Sequence, residues 1–186
     1  MPKLVVFNHV SLDGYFVDGS GDMRWAHRED TEWSAFAAEN AGGGGRLLMG
    51  RVTYEMMASY WPTPHARENA PIVADRMNGL PKVVFSRTLA SATWTNTKLV
   101  KTDLAGEVRR MKDEPGPNLV ILGSGSIVSQ LAAAGLVDEY QIVVNPIALG
   151  SGRTLFETLE KRLPLELRST RSFKNGNVVL SYAACT

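Results

Sequence analysis

Short apolar runs alternate with helical segments along most of this chain, and this alternation constrains the fold more than any other feature. Strand-like runs rich in apolar residues occupy positions 4–7, 46–49, 82–85, 118–122 and 139–144, with a weaker run at 98–101. Helical spacing of apolar residues follows several of these runs, most clearly after Asp30, after Gly50 and across 104–112. An order of strand then helix, repeated, predicts an α/β domain with a mostly parallel sheet and helices on both faces.

The C-terminal part of the sequence has a different pattern. Segments 165–173 and 178–182 are strand-like and are joined by Lys174-Asn175-Gly176-Asn177. An Asn-Gly pair between two strands is typical of a tight hairpin turn. We therefore expect an antiparallel hairpin at one edge of the sheet, as mixed sheets often carry. The length of 186 residues predicts a single domain spanning 1–186, and no repeat or linker divides it.

Composition excludes several classes of function. Lys plus Arg total 20 against 19 Asp plus Glu, so no overall basic field favours nucleic acid. The single cysteine, Cys185, cannot form an internal disulfide, and the three histidines have no metal-ligand spacing, so we expect no metal site. No apolar run approaches a membrane span and the first residues lack a signal-peptide pattern. We expect a cytoplasmic protein that binds neither nucleic acid nor membrane.

Three predicted strands are followed by residues suited to binding anions. Gly123-Ser124-Gly125-Ser126 and Gly50-Arg51-Val52-Thr53 each combine small or hydroxyl residues with the start of a helix, where free N–H groups attract phosphate. Ser86-Arg87 follows a third strand and suits a phosphate monoester. Taken singly, each is also explained as a tight turn or a surface arginine. Together they predict a dinucleotide, which needs separate places for its pyrophosphate and its adenosine phosphate.

The motifs resemble those of two related reductases. Met49-Gly50-Arg51-x-Thr53, Phe85-Ser86-Arg87 and Gly123-Ser124-Gly125-Ser126, in this order, resemble the cofactor signatures of dihydrofolate reductases. Ser11-Leu12-Asp13-Gly14, Leu136-Val137-Asp138-Glu139 and Pro146-x-x-Leu149-Gly150-x-Gly152 resemble the reductase domain of the bacterial riboflavin-pathway deaminase–reductase. The resemblance covers nearly the whole chain and implies a three-layer fold like that of dihydrofolate reductase.

This resemblance implies an NADPH-dependent reductase that transfers hydride to a pyrimidine-like or pteridine-like heterocycle. Its implied pyrophosphate site consists of Gly50, Arg51, Thr53, Gly123, Gly125 and Ser126. Ser86 and Arg87 would hold the adenosine 2′-phosphate, while Asn8 and Val10 would flank the nicotinamide. A binding module that keeps the nucleotide site without turnover is the alternative, because a fold alone does not establish function.

Residues at the substrate end are less sharply defined by the sequence. Glu32 is the best positional match to a substrate carboxylate, although a solvated first-turn acid has the same pattern. Asp13 is the second acidic candidate, and partial burial is expected to raise the pKa of the acid that faces substrate. Trp25 and Tyr54 are expected near substrate, with a core position as the alternative for Trp25. The Asp-x-Pro pair typical of riboflavin-pathway reductases is absent, since 58–64 reads ASYWPTP.

A homodimer is expected as well. The C-terminal hairpin is apolar, and the apolar residues of 139–144 run consecutively rather than alternating. Strands of that kind at a sheet edge need cover, and a symmetric partner is the commonest cover.

Overall fold

A computed structural model describes residues 1–27 and 30–185 of the chain. The strands are β1 Leu4–Ser11, β2 Tyr15–Asp18, β3 Arg46–Gly50, β4 Lys82–Phe85, β5 Thr97–Val100, β6 Leu119–Leu122, β7 Glu139–Asn145, β8 Gly152–Thr154, β9 Leu165–Ser172 and β10 Val178–Ala184. Helices separate β2 from β3, β3 from β4, β5 from β6 and β6 from β7, and two antiparallel strands close the chain, as the sequence predicts.

The helices connect these strands and are short to medium in length. A single 3₁₀ turn, Arg24–Ala26, precedes the first of them. The helices are α1 Thr31–Gly42, α2 Arg51–Tyr60, α3 Pro64–Asn69, α4 Pro71–Gly79, α5 Leu104–Asp113 and α6 Gly125–Ala133. None of the helices within the described ranges is long and apolar enough to cross a membrane.

Eight strands form one sheet in the order β5-β4-β3-β6-β1-β7-β10-β9. All pairings from β5 to β7 are parallel, whereas β10 is antiparallel to both β7 and β9. The hairpin turn has Gly176 at φ 90°, and the Phe173 N–H donates to the Asn177 carbonyl at 2.9 Å. The predicted parallel sheet and antiparallel edge are therefore both confirmed.

Alternating side chains along the strands separate the molecule into three layers. Leu4 and Val6 point to the face covered by α5 and α6, where they pack with Val108 and Leu131. On β3, alternate side chains point to the opposite face of the sheet, which helices α2 and α4 cover. Helix α1 lies on this second face over β7 and β10, with Phe36 packed against Val143, Phe173 and Val179.

Two features were not predicted from the sequence. Helix α2 ends before Pro62, as the prolines at 62 and 64 favour, but Thr63 caps a new helix: its side chain accepts from the Ala66 N–H, and Pro64 opens α3. Proline fits there because the first helical N–H needs no partner. The second feature is a small sheet in which β2 pairs with β8, a three-residue segment without strand-like apolar patterning.

Candidate active site

A crevice opens at the carboxyl ends of the two neighbouring strands β3 and β6. Helix α2 leaves β3 toward one face of the sheet, and α6 leaves β6 toward the other, as their separate core clusters show. In open α/β sheets, ligands bind outside the carboxyl ends of strands where consecutive connections diverge in this way. The predicted motifs at Gly50 and at Gly123 therefore meet at the point of the fold best suited to a ligand.

The two helices that start at this crevice carry no side-chain cap. Helices α1, α3 and α5 each have a cap from Asp30, Thr63 or Asp103. Helices α2 and α6 begin after Gly50 and Ser124 with no side chain accepting from their first-turn N–H groups, and α4, away from the crevice, also has no side-chain cap. Uncapped N–H groups at a helix start carry a partial positive charge that attracts anions. Two such helix starts therefore lie side by side at the crevice.

Hydrogen bonds lock the ends of the three strands around the crevice. The Ser124 hydroxyl accepts from the Gly50 N–H at 3.0 Å and donates to the Thr53 hydroxyl at 2.8 Å. The Thr53 hydroxyl lies 3.4 Å from the Gly123 carbonyl oxygen. On the other side, the Gly123 N–H donates to Oδ1 of Asn8 at 3.1 Å. Predicted cofactor residues from β1, β3 and β6 are therefore joined in one network.

The glycines of the second motif have different structural roles. Gly123 adopts φ 62°, a left-handed conformation that glycine reaches without strain. At Gly125 a side chain would collide with Phe16, because a Cβ there would lie 2.1 Å from the ring carbon Cζ. Gly125 is thus required for packing of β2 onto the start of α6. Ser126, the next residue, is exposed at the crevice.

A cavity of about 630 Å³ continues from the crevice along the carboxyl ends of β4 and β5. Ser86 and Arg87 line it after β4, Lys101 and Thr102 after β5, and Gln130 from α6. The Ser86 hydroxyl accepts from the N–H groups of two following residues and holds the turn that presents Arg87. Arg87 is exposed and has no acidic partner among the residues that the structure describes.

Lys101 was not predicted as a site residue. It follows β5, which has a weak apolar pattern, so the position of Lys101 beside Arg87 depends on the pairing of β5 with β4.

Arg51 was predicted to contact the pyrophosphate. Its Nη1 lies 2.8 Å from Oε2 of Glu55 on the exposed side of α2.

A second opening lies over the middle of the sheet, on the face covered by α1 and α2. Strands β1 and β6 are central, yet Phe7, His9 and Leu122 on this face are only half-buried. On the opposite face, Val6 and Ile121 of the same strands are 0% exposed. We infer from this difference that the helices leave a gap above β1 and β6, which we call the central cleft, with Phe7, His9 and Leu122 as its floor.

One wall of the central cleft is an apolar stripe of α2. Val52, Met56 and Tyr60, spaced four residues apart, are 70%, 42% and 38% exposed. Met56 lies three residues after Thr53 and so shares its side of the helix. Thr53 bonds to Ser124 after β6, and β1 is the next strand beyond β6. The stripe consequently faces the central cleft, a placement that the sequence motifs did not reveal.

The opposite wall is the first turn of α1. Trp33 contacts the His9 ring edge to face, with 5.4 Å between centroids. Glu32, the preceding residue, lies on the other flank: its Oε1 is 3.9 Å from Nη2 of Arg171 on the edge strand β9. The structure therefore turns Glu32 toward the sheet edge, away from β1 and β6, and its catalytic role stays a prediction without a contact in the cleft.

His9 is held in place by Asn145, which is 0% exposed at the end of β7. The Nδ2 group of Asn145 donates to the carbonyls of Val10 and Val143, both at 3.1 Å. Nδ1 of His9 lies 3.3 Å from Nδ2 and 3.5 Å from Oδ1 of the same amide. Burial lowers the pKa of His9 to about 4, so the ring is neutral near pH 7.

Asp13 fastens two loops together at the carboxyl end of β1. It accepts from the Ser11 hydroxyl at 2.6 Å and from the Leu149 and Gly150 N–H groups. The Ser11 hydrogen bond, followed by those two N–H groups, lowers the pKa of Asp13 to about 2. The expectation of a raised pKa is therefore wrong for Asp13, because these donors stabilise its charged form.

The two predicted aromatic substrate contacts differ in position. Trp25 is half-buried in the 3₁₀ turn beside β1, and its indole N–H donates to the Asp22 carbonyl at 3.0 Å. Tyr54 is 5% exposed in the core under α2, and its hydroxyl accepts from the Trp94 N–H. Since Tyr54 lies on the β4 side of α2, we leave it out of the substrate site.

Comparison with known proteins gives a consistent match. The family model for the RibD C-terminal domain matches residues 2–179. The uncharacterized protein YyaP of Bacillus subtilis (strain 168) is 26% identical over 181 residues, covering 97% of this chain and 94% of YyaP. A putative riboflavin biosynthesis protein from Shewanella sp. PV-4 has a solved structure with a TM-score of 0.74, 26% identity and 99% of each chain covered.

A more distant structural neighbour supports the fold. Dihydrofolate reductase from Enterococcus faecalis, solved in complex with NADP(H) and RAB-propyl, has a TM-score of 0.64 at 14% identity. The match covers 99% of this chain and 97% of that reductase. The predicted fold, like that of dihydrofolate reductase, is thereby confirmed.

Proposed function

The chain belongs to the RibD C-terminal domain family, and from this premise we propose that it is an NADPH-dependent reductase of a pyrimidine-like or pteridine-like heterocycle. Membership of this family suggests a reductase-type enzyme. The observation that carries the proposal is the pair of uncapped helix starts, α2 and α6, at the crevice between β3 and β6. A dinucleotide pyrophosphate suits two such starts side by side.

The residues present fit the rest of the cofactor. The cavity of about 630 Å³ is large enough for an adenosine group, and Arg87 with Lys101 gives it two cations for a 2′-phosphate. Asn8 and Val10 of β1 are proposed to border the nicotinamide through their backbone at the strand end, because their side chains are buried on the face opposite the central cleft. The Enterococcus faecalis neighbour was solved with NADP(H), which supports this choice of cofactor. When bound, NADPH supplies the hydride.

The central cleft is the proposed substrate site. Its half-buried floor and the apolar stripe of α2 suit a flat ring, and they exclude water from one face of that ring. With its pKa near 2, Asp13 is ionised at neutral pH and holds the loops rather than donating a proton. We propose that the proton accompanying hydride comes from water that enters the cleft.

A dinucleotide-binding module without turnover is the second candidate. The observation that favours it is the engagement of both predicted acids elsewhere, Asp13 by backbone N–H groups and Glu32 beside Arg171. The two candidates share the cofactor site and differ in whether a heterocycle is reduced.

Assembly and location complete the proposal. Strand β9 forms the sheet edge, and Leu167 on it is 51% exposed. We propose that a second copy covers β9 and β10 to form a homodimer. We also propose that residues 1–186 form a single domain that works in the cytoplasm without nucleic acid or membrane partners.

The proposal is tested by following NADPH absorbance while pterins, dihydropterins and aminouracils are added singly to the purified chain. Substrate-dependent oxidation of NADPH is the expected result. NADPH binding without oxidation by any heterocycle would favour the binding module, and absence of NADPH binding would reject both candidates.

A further inference from the structure

The cavity of about 630 Å³ has one wall that neither of the proposed phosphate contacts uses. Arg87 and Lys101 line the cavity where β4 and β5 end, and the proposed pyrophosphate site lies at the start of α6. The remaining wall contains Gln130 and Ala133 from further along α6, together with Thr158 from the segment after β8. Adenine is the part of the proposed cofactor that is left for this wall.

Thr158 is held at this wall by a contact with α6. Its N–H donates to the Ser129 hydroxyl oxygen at 2.9 Å, and the two hydroxyl oxygens lie 2.7 Å apart. Ser129 is 2% exposed, and so is Leu155 in the segment that carries Thr158, so both sides of the contact are anchored in the core. Thr158 itself is exposed and lines the cavity. Its hydroxyl group therefore has a defined position beside the ligand space.

The Thr158 hydroxyl oxygen keeps a free acceptor position whichever hydroxyl of the pair donates. Each hydroxyl has one hydrogen and two lone pairs. If Ser129 donates, one lone pair of Thr158 is used and the other remains, and if Thr158 donates, both of its lone pairs remain. No other donor bonds to this oxygen in residues 1–27 and 30–185. Thr158 can therefore accept a hydrogen bond from a ligand in either arrangement.

We infer that Thr158 is a specificity-determining residue whose hydroxyl oxygen accepts a hydrogen bond from the 6-amino group of adenine in this cavity. The inference rests on the proposed function, because it assigns a contact to the base of the proposed cofactor. The amide of Gln130 is already partly engaged, since its Nε2 donates to the Ser126 carbonyl at 3.0 Å. Asp103 lies at the strand end beside Lys101 and caps α5, so the cationic side of the cavity holds it away from the wall at Thr158.

The test compares NADP⁺ with its 6-deamino analogue, in which a hydrogen replaces the amino group of adenine, by calorimetric titration of the full chain. NADP⁺ should bind about threefold to tenfold more tightly, the range of one neutral hydrogen bond. Thr158→Val keeps the shape of the side chain but lacks the hydroxyl, so it should bring the ratio of affinities close to one, whereas Thr158→Ser should retain the preference. Thr154→Val, at an exposed threonine of β8 outside the cavity, is the matched control and should leave the ratio unchanged.

Equal affinity of the unchanged protein for both compounds would overturn the inference, even if Thr158→Val proves unstable. A preference that survives in a folded Thr158→Val variant would overturn it too, and its loss in Gln130→Met alone would assign the contact to Gln130 instead. Failure to bind either compound would reject the proposed function together with the inference. A Thr158-dependent preference without reduction of any heterocycle would leave the adenine contact intact and reject the reductase.

Discussion

The Ser124 hydroxyl donates a 2.8 Å hydrogen bond to the Thr53 hydroxyl, and both residues are less than 7% exposed. Through this contact the first turn of α2 is bonded to the residue that precedes α6. The two helix starts are thereby fixed relative to each other. A fixed arrangement of this kind is what the proposed pyrophosphate site requires.

Replacing Ser124 by alanine should destabilise the protein and weaken cofactor binding together. The substitution leaves the Gly50 N–H and the Thr53 hydroxyl without their partner at a buried position. An unsatisfied buried donor costs about 1–3 kcal/mol, which urea unfolding would detect as a lower midpoint. Ser126→Ala, in the exposed first turn of α6, is the matched control and should change stability by less than about 0.5 kcal/mol. Equal stability of both variants would show that the Ser124 contact is not structural.

Gly125→Ala should also be destabilising, for a steric reason. Its Cβ would lie 2.1 Å from the Phe16 ring, so the ring or the helix must move. Overpacking of this kind costs about 1–3 kcal/mol. Adding Phe16→Leu should recover part of the loss, and a double-mutant cycle in urea would measure the coupling. Additive effects of the two substitutions would contradict a direct contact.

Arg87→Ala should reduce affinity for NADPH while leaving affinity for NADH nearly unchanged. A charged hydrogen bond to the 2′-phosphate is worth about 1.5–3 kcal/mol, a loss that fluorescence titration resolves. Arg67→Ala, an exposed arginine of α3, controls for the general loss of a positive charge. If NADPH and NADH lose affinity equally in Arg87→Ala, the residue does not recognise the 2′-phosphate.

Stability should fall on mild acidification because of His9. Burial lowers its pKa from 6.5 in a model peptide to about 4 in the folded protein. Between these values the unfolded chain binds a proton that the folded chain does not, so stability is highest above pH 6.5 and declines as pH falls toward 4. Between about pH 7.5 and about pH 5, His9 should account for a loss of about 2 kcal/mol. His9→Gln should lack this loss in urea unfolding, and an identical pH slope in both proteins would rule it out.

The proposed homodimer gives a test at the sheet edge. Leu167 on β9 is 51% exposed in the single chain; the rest of β9 is largely polar rather than apolar as expected, so it is the position of β9 at the sheet edge that calls for cover. Light scattering at micromolar concentration should give twice the mass of one chain. Leu167→Asp should shift the protein toward monomer, while Glu166→Asp, a neighbouring conservative change, should not. A monomeric unchanged protein would refute the proposed assembly.

The sequence predicted those parts of the fold that have local signals. Apolar runs followed by helical spacing indicated the parallel strands, and Asn175-Gly176 indicated the hairpin turn. The pairing of β2 with β8 had no such signal, because it depends on loops that meet through Asp13. Helix α3 could not be predicted from Pro64, because proline favours the end of a helix as well as its first position.

The residues of the candidate site fall into the same two groups, those with a local sequence signal and those without one. Gly50, Thr53 and Gly123 follow strands directly, so a motif and a parallel sheet were enough to bring them together. The positions of His9 and of the apolar stripe at Val52 and Met56 could not be predicted from local patterns. They depend on the order of the strands and on the side that each helix turns to the sheet. The direction in which Glu32 points from α1 could not be predicted either, because it depends on a contact with Arg171, which is distant in sequence.

Direct titration of the purified chain with NADPH and with NADH is the measurement that tests the central claim of a phosphate-binding crevice and its adjoining cavity. We expect saturable NADPH binding that is at least about tenfold tighter than NADH binding, the size expected for one charged hydrogen bond. Ser124→Ala should weaken binding of both cofactors, because it disturbs the shared pyrophosphate site. Failure to bind either dinucleotide, or equal affinity for both, would contradict the proposed cofactor site.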